Sequence, residues 1–257
     1  MKKVILLGTD ELLGVGAEFP RVALDSKYIP KEFEPKNWET FMESVNYDYG
    51  IIRAEYLKVA KTYGYDSNAP DVVEFRKGKT WPELLNKRFE KTCDIKVPKL
   101  NGQSLFTLSY NLVSGITFED SYMDFEDCAV ILALPSTSKD LLFRPSTSSP
   151  GKFENVTLWN YALLLSRWKD HVESRLGNFF YFHLDDFPED FYDYEHNPLL
   201  HHLKDGLLFD KSLYSLLPGD IKKRKFDGEH YDGLAHMYLE QKFYEIMRNN
   251  NHLNLFK

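Results

Sequence analysis

Along the chain, short runs of consecutive β-favouring apolar residues alternate with longer segments whose apolar positions recur every three to four residues. Val4-Ile5-Leu6-Leu7 is such a run and stops at the turn-forming Gly8-Thr9-Asp10, which is how a buried parallel strand reads. Cys128 to Leu134 is the most continuous run and is expected at the centre of a sheet, ending at Pro135-Ser136-Thr137-Ser138. Phe179 to Phe182 ends at His183-Leu184-Asp185-Asp186. A fourth strand is expected within Asp94 to Leu100, where Ile95 and Val97 alternate with lysines before Asn101-Gly102-Gln103-Ser104.

Helical spacing fills the intervals. Phe41, Val45, Ile52, Tyr56, Val59 and Ala60 predict a helix over Trp38 to Tyr63 that Gly50 can break. Thr80-Trp81-Pro82-Glu83 has the form of a helix start, with Thr80 as N-cap, Pro82 in the first turn and Glu83 at the capping-box position; Leu84, Leu85 and Phe89 supply the apolar face. Further helices are expected from Leu105 to Val113, Val156 to Leu176 and Leu234 to Met247, and loops at Asp66 to Pro70 and Pro145 to Gly151. Strands alternating with helices predict a three-layer α/β fold with a mainly parallel sheet flanked by helices, as one domain over residues 1–257 without internal repeat.

The 257 residues are 43% hydrophobic and 28% charged with a formal charge of −7, a globular composition that excludes collagen-like or disordered chains. No apolar run approaches the roughly 20 residues of a membrane span, and the stretch after Met1-Lys2-Lys3 is too short for a secretory signal. The expectation is a cytoplasmic or virion-internal protein without membrane partners. Cys93 and Cys128 are too few for a disulfide framework and read as buried thiols. The acidic balance disfavours nucleic acid, and the basic run Lys222-Lys223-Arg224-Lys225 reads as a solvated loop. His183 with Asp185 and Asp186, and the pair His201-His202, lack a recognised metal spacing, so neither metal nor cofactor is assigned.

In an open α/β sheet the residues that follow the strands line the binding crevice. One more cluster, Asp227-Gly228-Glu229-His230, precedes the last helix. An Asp three residues before a His can hold one imidazole nitrogen and leave the other to act as a base.

In these blocks the chain resembles the SGNH (GDSL) hydrolases, in particular the phage and bacterial branch. Gly8-Thr9-Asp10-Glu11-Leu12-Leu13-Gly14-Val15-Gly16 is similar to the first block, Trp81 to Leu85 to the helix after it, and Asn101-Gly102-Gln103-Ser104 to the second block with its oxyanion-hole glycine. Ile131 to Lys139 stands where the third block lies, and Asp227-x-x-His230 with Gly233 and His236 looks like the last. The resemblance implies a flavodoxin-like α/β domain carrying an insertion at about residues 20–78.

It also implies a catalytic set of Asp10, Asp227 and His230, with Gly102, Ser104 and Ser136 binding substrate or the oxyanion. The chain departs from the family at the nucleophile, where Asp10 replaces serine, and in the third block, where Ser136, Thr137 and Ser138 stand near the absent Asn donor. A carboxylate is ionised at neutral pH and is not activated by histidine as a hydroxyl is.

Three chemistries therefore stay open. Asp10 acts as general base or nucleophile with His230 as proton carrier, Asp227 as orienter and the Gly102 N–H as anion donor; or Asp10 and other acidic residues hold a divalent metal; or the pocket is catalytically inactive and retained for packing or binding. The first makes the chain a hydrolase or transferase for an ester, acyl or related activated group on a small molecule or modified polymer. The last makes it a structural or host-factor-binding protein, with contacts through residues 20–78 or the acidic aromatic loop 187–194. The 16 Tyr and 19 Phe leave rings to spare for such an interface. Structural readings stand beside these: Asp10 as N-cap of a helix beginning near Glu11, and Ser104 and Ser136 as turn residues.

Overall fold

A computed structural model describes residues 1–8, 12–18, 27, 62, 64–98, 104–113, 125–135, 150–185, 202–224 and 230–257. In chain order these include strand β1 (Lys2–Leu7), helices α1 (Pro70–Arg76) and α2 (Trp81–Phe89), strand β2 (Cys93–Lys96), helix α3 (Leu105–Val113), strand β3 (Cys128–Leu134), helix α4 (Pro150–Glu173), strand β4 (Asn178–His183), and helices α5 (Gly219–Lys222) and α6 (Gly233–Asn249). The chain divides into two compact units: Met1–Asp10, Arg88–Leu216 and Phe243–Lys257 form the first, Glu11–Lys87 and Leu217–Lys242 the second.

The first unit carries one sheet of order β2-β1-β3-β4 in which every pairing is parallel. β3 is an inner strand with Ile131 to Leu134 fully buried, and its run of Val, Ile, Leu and Ala is what a strand covered on both faces requires. One face presents Ile5, Leu7, Val130, Leu132, Leu134, Phe179 and Tyr181 to Leu105 and Leu108 of α3 and to Tyr161, Leu165 and Trp168 of α4. On the other face Phe182 stacks on Phe209 at 5.1 Å and meets Phe243 at 5.2 Å, and Phe89 stacks on Phe256 at 4.9 Å. Helices and rings on both faces make this a three-layer α/β fold.

The free edge of β4 is covered: Leu207 bridges Tyr181, and the amides of Leu208, Leu213 and Tyr214 donate to the carbonyls of Tyr181, His183 and Leu184. This removes an exposed strand edge from solvent.

Several boundaries differ from the pattern reading. α4 begins at Pro150 rather than near Val156, since proline is well tolerated at the first helical position. β2 stops at Lys96, before Val97 and Pro98; a proline has no N–H to continue a ladder. Residues 12–18 form successive turns instead of a helix begun near Glu11. Apart from Thr62, which is helical, the helix expected over Trp38 to Tyr63 lies outside the described residues, as does the loop 187–194.

Candidate functional site

The strand order places β1 and β3 side by side at the centre, with β2 beyond one and β4 beyond the other. The chain thus winds outward in both directions from the β1–β3 pair, whose carboxyl ends bound the crevice where such sheets bind ligands. Buried Gly8 leaves β1 toward Thr9 and Asp10, and buried Pro135 leaves β3 toward Ser136. The Pro135 carbonyl is tied down by the Tyr161 hydroxyl, which donates to it at 2.9 Å.

Ser104, after β2, is buried and caps α3: its Oγ accepts the Thr107 amide at 3.1 Å and lies 2.9 Å from the Thr107 Oγ1. Asp10, Gly102, Ser136 and Asp227 lie outside the described residues. His183, at the end of β4, is wholly buried against the ring of Tyr181, and burial pushes its pKa down to about 3. His202 is exposed and 3.9 Å from Asp170. Among the described residues no three His, Cys, Asp or Glu side chains gather in a way that would hold a metal ion.

The second unit holds the glycine-rich turns and the segment leading into α6. Gly14 has φ +68°, and a Cβ there would meet the Thr80 Cγ2 at 2.3 Å, so glycine is required by both backbone conformation and space. The turns are fastened by Glu18, a fully buried carboxylate with four donors. Oε2 accepts the Gly16 amide at 2.9 Å and the Arg76 Nε at 3.1 Å; Oε1 accepts the Tyr65 hydroxyl at 2.7 Å and the Arg76 Nη2 at 3.2 Å. Arg76 donates further to the Ser67 carbonyl at 2.7 Å. A buried charge is tolerable when it is paired and its lone pairs are filled.

Thr80 and Glu83 form the expected reciprocal capping box on α2: the Thr80 amide donates to Glu83 Oε2 at 3.2 Å and the Glu83 amide to Thr80 Oγ1 at 3.4 Å. The Trp81 amide donates to His236 Nδ1 at 3.2 Å. That bond occupies the lone pair that would take a proton, so His236 is held neutral with its proton on Nε2. Burial, then the charges of Arg76 and His230, push its pKa down to about 3.

His230 differs. It is half-buried at the bend before Tyr231, where solvent reaches it.

The segment carrying it is clasped at its ends. The Arg224 Nε donates to Asp232 Oδ1 at 3.1 Å, its Nη2 meets Oδ2 at 2.7 Å, and the Asp232 amide donates to the Arg224 carbonyl at 3.0 Å. Asp232 Oδ1 also accepts the Ala235 amide at 3.0 Å, capping α6. The basic run is therefore split: Lys222, which ends α5 instead of lying in a loop, and Lys223 are exposed, while Arg224 is an ion-pair partner. Sequence reasoning passed over Glu18, Arg76 and Asp232, and read Arg224 as part of a solvated loop where it is an ion-pair partner. A signal existed for Asp232 alone, an Asp just ahead of an apolar helical pattern.

No family model, curated protein or solved structure matches this chain.

Proposed function

We propose that the chain is an SGNH-like hydrolase or transferase acting on an ester, acyl or related activated group of a small molecule or modified polymer, in the cytoplasm or inside a virion. The observation that supports this reading is the all-parallel order β2-β1-β3-β4, because Asp10 and Ser136 then follow the two strands that flank the topological switch point. In the proposed site Asp10 is the general base or nucleophile, Asp227 orients His230, His230 carries the proton to the leaving group, and the Gly102 amide with Ser104 and Ser136 stabilises the anion or binds substrate.

The test is hydrolysis of short-chain p-nitrophenyl esters and phosphodiesters by wild type, His230→Ala and Asp10→Ser, with and without divalent metal. Wild-type turnover that falls by about 100-fold or more in His230→Ala is the expected result. Metal dependence would assign Asp10 to a metal site instead. A silent wild type with esterase activity appearing in Asp10→Ser would overturn the enzyme reading in favour of an inactive frame.

That second reading, a structural or host-factor-binding protein, draws on one observation. On α6, Leu234, Met237 and Tyr238 lie one turn apart and are 40%, 57% and 37% exposed, an apolar stripe of the kind that binds partners.

A further inference from the structure

Between Arg224 and Asp232 lie seven residues that include Asp227 and His230. Both ends of this segment are joined by three contacts: a backbone hydrogen bond and a two-pronged guanidinium–carboxylate pair. The pair is little exposed, 12% for the Arg224 side chain and 2% for that of Asp232, so water competes weakly for it. Asp232 is only two residues from His230, and its carboxylate is simultaneously the cap of α6. The backbone that carries the imidazole is thus referenced to the helix axis on one side and to Arg224 on the other.

We infer that Arg224 and Asp232 are positioning residues: by fixing the backbone two residues after His230 to Arg224 and to the start of α6, they set the direction in which His230 is presented. The inference rests on the reading of His230 as proton carrier. It explains why an arginine follows the exposed Lys222 and Lys223, since lysine cannot make the two-pronged contact.

The experiment is an NMR titration of the His230 ring in the full chain, for wild type, Arg224→Lys, Asp232→Asn and Asp227→Asn, with circular dichroism confirming the fold of each. Lysine keeps the positive charge, so a changed midpoint in Arg224→Lys reports geometry; asparagine at 232 keeps an N-cap and loses the ion pair. The expected result is a His230 midpoint shifted by about half a pH unit or more in Arg224→Lys, where the net charge is unchanged, with Asp232→Asn giving the size of the shift that loss of the carboxylate adds. A residue that served stability alone would lower the melting temperature and leave the midpoint unmoved.

An unchanged midpoint in folded Arg224→Lys overturns the inference. Asp227→Asn is read separately: if it leaves the midpoint in place while Arg224→Lys moves it, the positioning role stands and the Asp227–His230 pairing behind the proposed function falls.

Discussion

At the scale of single residues, Asp127, Leu176 and Asn251 hold positive φ among the described residues, and of these leucine is the type least suited to it. After α4 the Leu176 amide donates to the Glu173 carbonyl at 3.0 Å and the Gly177 amide to the Val172 carbonyl at 3.1 Å, the double bond of a Schellman motif. Leu176 holds the left-handed position of that motif at φ 60° with its side chain 69% exposed, where glycine is the usual choice. Its carbonyl still accepts the Asp127 amide at 3.3 Å, a contact that any residue preserves. Leu176→Gly is expected to stabilise the protein by about 0.5–1 kcal/mol, the strain relieved less the unfolded-chain entropy gained; urea denaturation measures it. Gly177 next to it behaves oppositely, because a Cβ there would approach the Phe125 carbonyl oxygen to 2.9 Å.

At the scale of elements, the start of α2 was legible and buried ion pairs were not. The capping box at Thr80 and Glu83 is a local signal, since donors and acceptors sit three residues apart. Glu83→Ala is expected to cost about 1 kcal/mol, read as a lower midpoint in a thermal or urea melt. Glu18 and Arg76 are 58 residues apart, and nothing local in either neighbourhood announces the other. Arg76→Met is expected to cost about 3–5 kcal/mol by leaving the Glu18 carboxylate buried with no counter-charge. Restoring neutrality with Glu18→Gln in the same chain should recover part of that loss, and the double-mutant cycle separates pairing from packing.

At the scale of the whole molecule, two buried histidines set the response to acid. His183 and His236 both have pKa values pushed down to about 3, chiefly by burial, against 6.5 in the unfolded chain. The unfolded state therefore binds more protons between these values. Stability from the neutral rings is complete above pH 6.5 and is lost as pH falls from there toward 3, at about 1.4 kcal/mol per pH unit for each histidine once well below 6.5. Urea melts between pH 6.5 and 5, where most carboxylates remain ionised, should show this slope, and it should diminish in a His183→Asn, His236→Asn double variant. A flat profile over that range would contradict neutral burial of both rings.

The parallel α/β class was already determined by the sequence, because strands covered on both faces must be continuously apolar and helices must repeat their apolar positions with the turn of the helix. Helices such as α3, found at Leu105–Val113 as the pattern predicts, follow from that periodicity. Candidate chemistry at His230 was visible for a similar reason: an Asp and a His three residues apart are a local arrangement. The tertiary structure alone decided the order in which the strands pair, that Gly14 is crowded by Thr80, that His236 is locked by the Trp81 amide, and that Arg224 closes on Asp232 rather than facing water. Each depends on groups brought together by chain reversal, burial or sheet order, where contact energy is set by desolvation and geometry that no single stretch of residues contains.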